Sequence, residues 1–180
     1  MGKDIYINYK NDFSEDFDND FFYYPSQAQI PAPIPPIPPV LNSFANFYAL
    51  MPNDNPAPIP VGGNVDFPQD GVIGGSSITR LTSNSFSLND VGVYQVFFQV
   101  SLTQGAQLVL TLNTVEIAST VVGRATGSSQ LTELTLIEVD IPGSILSVKN
   151  SIFNLTPLTI TALAGGSNPV SANLVITKLS

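Results

Sequence analysis

From residue 44 onward, apolar and polar side chains alternate with a period of two, as extended chain with one buried face requires, and not with the 3.6-residue period of a helix. The clearest run is Gly92-Val93-Tyr94-Gln95-Val96-Phe97-Phe98-Gln99-Val100-Ser101-Leu102-Thr103, which puts Tyr94, Val96, Phe98, Val100 and Leu102 on one face. Phe97 interrupts the otherwise polar opposite face. A second alternation turns Leu108, Leu110 and Leu112 inward. Further strands are expected at 44–51, 78–81, 85–88, 115–122, 129–140, 145–149, 158–163 and 172–179. Turn signals separate them: Asn89-Asp90-Val91-Gly92, Gln104-Gly105-Ala106, Pro142-Gly143-Ser144 and Gly165-Gly166-Ser167-Asn168-Pro169. Strands this short, with no helical segment between them, predict an all-β fold, an antiparallel jelly-roll sandwich carrying an extended N-terminal arm.

The arm has two compositions. Residues 1–24 hold six of the fourteen acidic side chains, interleaved with Tyr6, Tyr9, Phe13, Phe17, Phe21, Phe22, Tyr23 and Tyr24. Nothing in this stretch supplies a core of its own. Residues 25–43 begin PSQAQIPAPIPPIPPV, whose prolines lack donors and fix φ, so polyproline II is the expected conformation. The chain therefore reads as an acidic-aromatic arm (1–24), a proline-rich connector (25–43) and a jelly-roll domain (44–180).

Charge and composition remove whole classes of function. With no Cys, no His and no Trp, the chain has no thiol nucleophile, no imidazole base and no zinc site of the His or Cys kind. A formal net charge of -8 makes nucleic acid and anionic membrane improbable partners. No apolar run is long enough to span a bilayer, and carboxylates stand where a secretory leader would need its apolar stretch. Synthesis in a cytoplasm without a signal peptide is expected. Gly2 is followed by Tyr6 where a myristoylation motif needs Ser or Thr. Asp16-Phe17-Asp18-Asn19-Asp20 lacks the glycine and the distal glutamate of a calcium loop, so no metal and no cofactor is expected. Glu138 and Asp140 share a strand face without a glycosidase's cleft, and Glu133, Arg124 and Lys149 read with them as exposed-face charges. No catalytic residue is expected. The Asn154-Leu155-Thr156 sequon is expected to go unused without passage through an endoplasmic reticulum.

Leu88-Asn89-Asp90-Val91-Gly92-Val93-Tyr94-Gln95-Val96-Phe97-Phe98-Gln99-Val100-Ser101 resembles the L-x-x-x-G-x-Y-x-V-x-F-x-V-S signature of the tumour-necrosis-factor-like jelly roll, shared with complement globular heads. Leu108 to Asn113, the hairpin from Ile141 to Asn150 and the closing strand from Val170 to Leu179 resemble later blocks of the same family. The last is similar to the C-terminal domain of BclA-like exosporium glycoproteins, and IPPIPPV is similar to the segment preceding their collagen region. The resemblance covers residues 44 to 180. One departure matters: no glycine occurs between Gly2 and Gly62, which excludes a collagen stalk. A head joined to a short arm most resembles the core subunit of F-type endospore appendages.

That resemblance implies a homotrimer assembling into a filament at the spore surface or exosporium, after synthesis in the mother cell, with anchor and tip proteins as possible partners. The residues support an arm that docks. In polyproline II, Ile34, Ile37 and Val40 fall along one edge while Pro35, Pro36, Pro38 and Pro39 cover the others, and residues 30–40 span roughly 34 Å. Phe13, Phe17 and Phe21 recur at helical spacing, followed by Phe22, Tyr23 and Tyr24. These thirteen side chains are the expected docking set. The alternative is a trimeric glycan- or receptor-binding head tethered to a spore coat by its arm.

Overall fold

The computed structural model describes residues 43–127, 129–161 and 170–180, the side chain of Ser129 excepted. Two antiparallel sheets face one another. The first contains β1 (Ser43–Leu50), β2 (Gln69–Gly74), β5 (Gly92–Leu102), β9 (Ser129–Val139) and β11 (Val170–Lys178), in the order β2-β1-β11-β5-β9. The second contains β3 (Ile78–Thr82), β4 (Ser85–Leu88), β6 (Ala106–Leu112), β7 (Val115–Glu116) and β10 (Ser144–Asn150), in the order β3-β4-β10-β6-β7, with β8 (Val122–Arg124) also paired to β6. Sequence-distant strands lie side by side, β1 on β11 and β5 on β9, as the predicted jelly roll requires.

Period-two patterning builds the core directly. On β5 the alternate residues Tyr94, Val96, Phe98 and Val100 are fully buried, and they meet Leu108, Leu110, Leu146 and Val148 of the opposite sheet in one cluster. Phe47 of the first sheet and Phe86 of the second close the gap at a ring-centroid distance of 4.5 Å, with Phe67 edge-on to Phe86 at 6.2 Å. Each such side chain removed from water contributes ~1.5–3 kcal/mol before entropy is counted.

Four details depart from the sequence reading. Ser43, read as connector, is the first residue of β1 and is buried, its hydroxyl bonded to Ser77 Oγ at 2.9 Å. The strand expected over 115–122 is broken into β7, a 3-10 turn (Ala118–Thr120) and β8. The break is made by Thr120, whose hydroxyl donates to Ile117 O and accepts from Leu110 N, closing the turn with a local bond that competes with extended pairing. At 158–161 isolated bridges, Ile59 to Leu158 and Leu102 to Ile160, replace a full strand; residues 162–169, with the predicted Gly165 turn, lie outside the described residues. β2 was not among the expected strands; Gly71 and Gly74 interrupt its alternation.

The strand order gives the sandwich two ends. At one end lie Ser43, where the chain enters β1, its partner Lys178, and Gly92 with its partner Val139. At the other lie Leu50 with Val170, Asn150 with Leu108, and Ala106 with Arg124. An eleven-residue strand such as β5 rises roughly 33 Å between them.

Candidate functional site

The thirteen residues proposed from sequence as the docking set, Phe13, Phe17, Phe21, Phe22, Tyr23, Tyr24, Ile34, Pro35, Pro36, Ile37, Pro38, Pro39 and Val40, lie outside the described residues. The described part instead presents two surfaces that could receive a partner: the outward face of the five-stranded sheet, and the loops at the end of the sandwich opposite Ser43.

Pairing register assembles the sheet face in rows. Asn46, Val175, Phe97 and Leu134 stand opposite one another across four strands, and Phe44, Thr177, Gln95 and Leu136 form the next row. Tyr48, Asn173, Gln99 and Thr132 form a third. These twelve residues include no charge, although Leu134 and Leu136 are 61% and 59% exposed. Glu138, two residues beyond Leu136 and opposite Val93, marks the charged border of this face, so the uncharged part is a central patch, and a patch with exposed leucines inside a charged border has the composition of the centre of an interface. Sequence reasoning had singled out Phe97 alone. The contribution of β9 escaped it because both faces of that strand mix apolar and polar residues.

The loop after β10 is held by a dense set of hydrogen bonds. Buried Asn150 donates to Ile59 O at 3.1 Å and receives the Asn154 amide on its Oδ1. Asn154 also clamps the backbone of Gln107, accepting from its N at 3.1 Å and donating to its O at 2.8 Å. Glu116 receives the Ile152 amide at 2.8 Å. The result is a fixed loop that leaves Phe153 78% and Leu155 96% exposed. Asn154, the acceptor of the sequon, thus has its amide engaged on both sides. The motif serves as a loop lock.

Of the charges read as exposed, Glu138 and Asp140 are, but Glu133, Arg124 and Lys149 are half-buried. Glu133 sits opposite Phe98, on the core side of β9. Arg124 donates to the carbonyls of Gln104 and Gly127, and Lys149 to that of Thr114, so backbone acceptors draw these cations down onto the surface. Among the described residues no three His, Cys, Asp or Glu side chains come together as a metal site would need.

The tyrosine of the resembled signature also finds a structural role. Tyr94 is buried and donates its phenol to Asp90 O at 2.8 Å; burial raises its pKa above the ordinary 10.0, against a lowering effect from that bond.

No family model and no curated protein matches the sequence. Among solved structures, murine APRIL at pH 5.0 superposes with a TM-score of 0.53 at 13% identity, over 76% of this chain and 98% of that one. PRD1 vertex protein P5 gives 0.54 at 17% identity, over 78% and 99%. Eiger TNF from S. frugiperda gives 0.52 at 11%, over 76% and 92%. The fold is a tumour-necrosis-factor-like jelly roll. At these identities the jelly roll is what is shared, and the uncharged sheet patch and the locked loop are features of this chain's own side chains.

Proposed function

We propose that this chain is a structural subunit of a spore-surface fibre: three jelly-roll heads associate through the uncharged central patch on the β2-β1-β11-β5-β9 sheet, and trimers polymerise as N-terminal arms dock into neighbouring trimers. The observation that carries the reading is that patch, with Phe97, Val175, Leu134 and Leu136 grouped on it by register. Covering the still-exposed part of Leu134 and Leu136 alone contributes ~2–4 kcal/mol per head before association costs, at the usual value per aliphatic side chain. The arm supplies the second contact. Its regular Ile34, Ile37 and Val40 edge and its pre-stiffened prolines lower the entropy lost on docking. No reaction is assigned to the protein. Resemblance to BclA-like heads and appendage subunits supports the spore-surface setting.

The purified full chain, observed by negative-stain electron microscopy and by mass measurement in solution, tests this reading. Filaments built from trimeric units are expected, and the change of Ile34, Ile37 and Val40 together to Ser should leave trimers without filaments. A monodisperse monomer at micromolar concentration would refute it.

A further inference from the structure

The end of the sandwich opposite Ser43 carries an open depression of about 660 Å³, bounded by the β5–β6 loop at Gly105, by β8 at Gly123 and Arg124, and by the locked loop at Phe153, Leu155 and Thr156. Gly105, Ala106, Gly123 and Ala125 line it with little or no side chain. A β-carbon on Gly105 would lie 2.2 Å from Ala125 O, and one on Gly123 would lie 2.9 Å from Gln107 Cγ, so this approach of chains depends on residues without side chains. On one side Asn154 and Glu116 hold the loop that presents the apolar side chains of Phe153 and Leu155. Arg124 brings a fixed positive charge to the rim. Aromatic and aliphatic surface beside a guanidinium, among small residues, suits a peptide that alternates carboxylates with aromatic rings.

The chain itself contains one such segment. Residues 12–22, Asp-Phe-Ser-Glu-Asp-Phe-Asp-Asn-Asp-Phe-Phe, place five carboxylates among four phenylalanines, with no base among them. We infer that this segment of a second copy occupies the depression, with Phe17 or Phe21 packed on Phe153 and Leu155 and neighbouring carboxylates directed to Arg124. The inference rests on the fibre reading above and assigns its socket. Chain direction favours a second copy. The arm enters the head at Ser43, at the other end of the sandwich, and the twenty residues 23–42 reach roughly 62 Å if extended as polyproline II. A connector of this proline content, if extended as polyproline II, would have to reverse to return along its own head, a path of roughly 33 Å. Passing forward to the next head's far end needs no reversal, and it gives the fibre a direction.

The absence of native cysteine makes cross-linking a clean test. Full-length Phe17→Cys and Leu155→Cys chains are mixed, allowed to assemble, and oxidised mildly. A disulfide between positions 17 and 155 of different chains, identified by peptide mass, is expected, with at least a tenfold lower yield when Ile37→Cys replaces Phe17→Cys. Filaments that form without the 17–155 link overturn the socket and leave the fibre reading standing. Failure of the wild-type chain to form filaments sinks that reading first. In the Phe17→Cys/Leu155→Cys double variant, a link confined to single chains after dilution would identify the chain's own arm as occupant and overturn the second copy. The Phe153→Ser/Leu155→Ser variant, altered only at exposed positions, should lose filaments while keeping the wild-type melting temperature; filaments of normal length from it would also overturn the proposal.

Discussion

The last residue of the chain lies against Gly92: a β-carbon at Gly92 would sit 2.1 Å from the carbonyl oxygen of Ser180. The glycine also has φ of 134°, where L side chains are strained. Leu179 N donates to Val93 O at 2.8 Å and Val93 N to Ser180 Oγ at 3.2 Å, so the C-terminus is stitched to the start of β5. Gly92→Ala should destabilise the head by about 2–3 kcal/mol, through strain and displacement of that stitch. Denaturant unfolding measures it. Deleting Ser180 in the Ala background should recover only part of the loss, because the φ strain remains.

The hairpin from β6 to β7 turns on Asn113 and Thr114, with φ of 50° and 73°. Two successive positive φ values are the mark of a tight two-residue turn that prefers Asn-Gly. Asn113 fits and is fastened by the Ile145 amide at 2.9 Å. Thr114 is β-branched and strained there. Thr114→Gly should therefore stabilise the protein by about 0.5–1 kcal/mol, visible as a higher melting temperature. A lower melting temperature would contradict the turn assignment.

Tyr94 sets an alkaline limit. Its pKa is raised on folding, so the folded state holds a proton that the unfolded state releases near pH 10.0, and stability present below that pH declines as pH rises past it. Unfolding free energy measured from pH 8 to pH 11 should fall at the top of that range. Tyr94→Phe should lose about 1 kcal/mol at neutral pH, with the bond to Asp90 O, and show a flatter alkaline limb. An unchanged limb would assign the alkaline loss to another group.

Leu134 and Leu136 test the sheet face. Because both are exposed in the isolated head, replacing them with Lys should cost the monomer within about 0.5 kcal/mol, while burying two ammonium groups in a shared interface should abolish association. Sedimentation velocity of the variant should show a monomer under conditions where the proposed trimer of the parent is expected. A trimer that survived both lysines would place the interface elsewhere.

Patterning carried the reading of the chain a long way. The inward residues of β5 and the antiparallel sandwich follow from alternation and turn chemistry, which are local; the resemblance to a tumour-necrosis-factor-like head rests on the order of its motifs along the chain. The misjudged strands have local causes too. Thr120 closes its own turn at 118–120, and the glycines of β2 interrupt the alternation of a strand that pairs with β1. The sheet face was legible at Phe97 alone, since a leucine on a strand with two mixed faces cannot be oriented by period two.

By itself, then, the sequence determined which side chains of β5 turn inward, most of the extended segments, and that a stretch of acidic-aromatic and then proline-rich composition precedes the head. Tertiary structure decided which outward residues share a surface. Val175, Phe97 and Leu134 belong to three strands far apart in sequence and meet only through cross-strand register. Likewise Gly105, Arg124 and Leu155 come from three loops and strand ends that the jelly-roll crossovers bring to one end. Side-chain alternation is a property of each strand, whereas a surface that can receive a partner depends on which strands are neighbours.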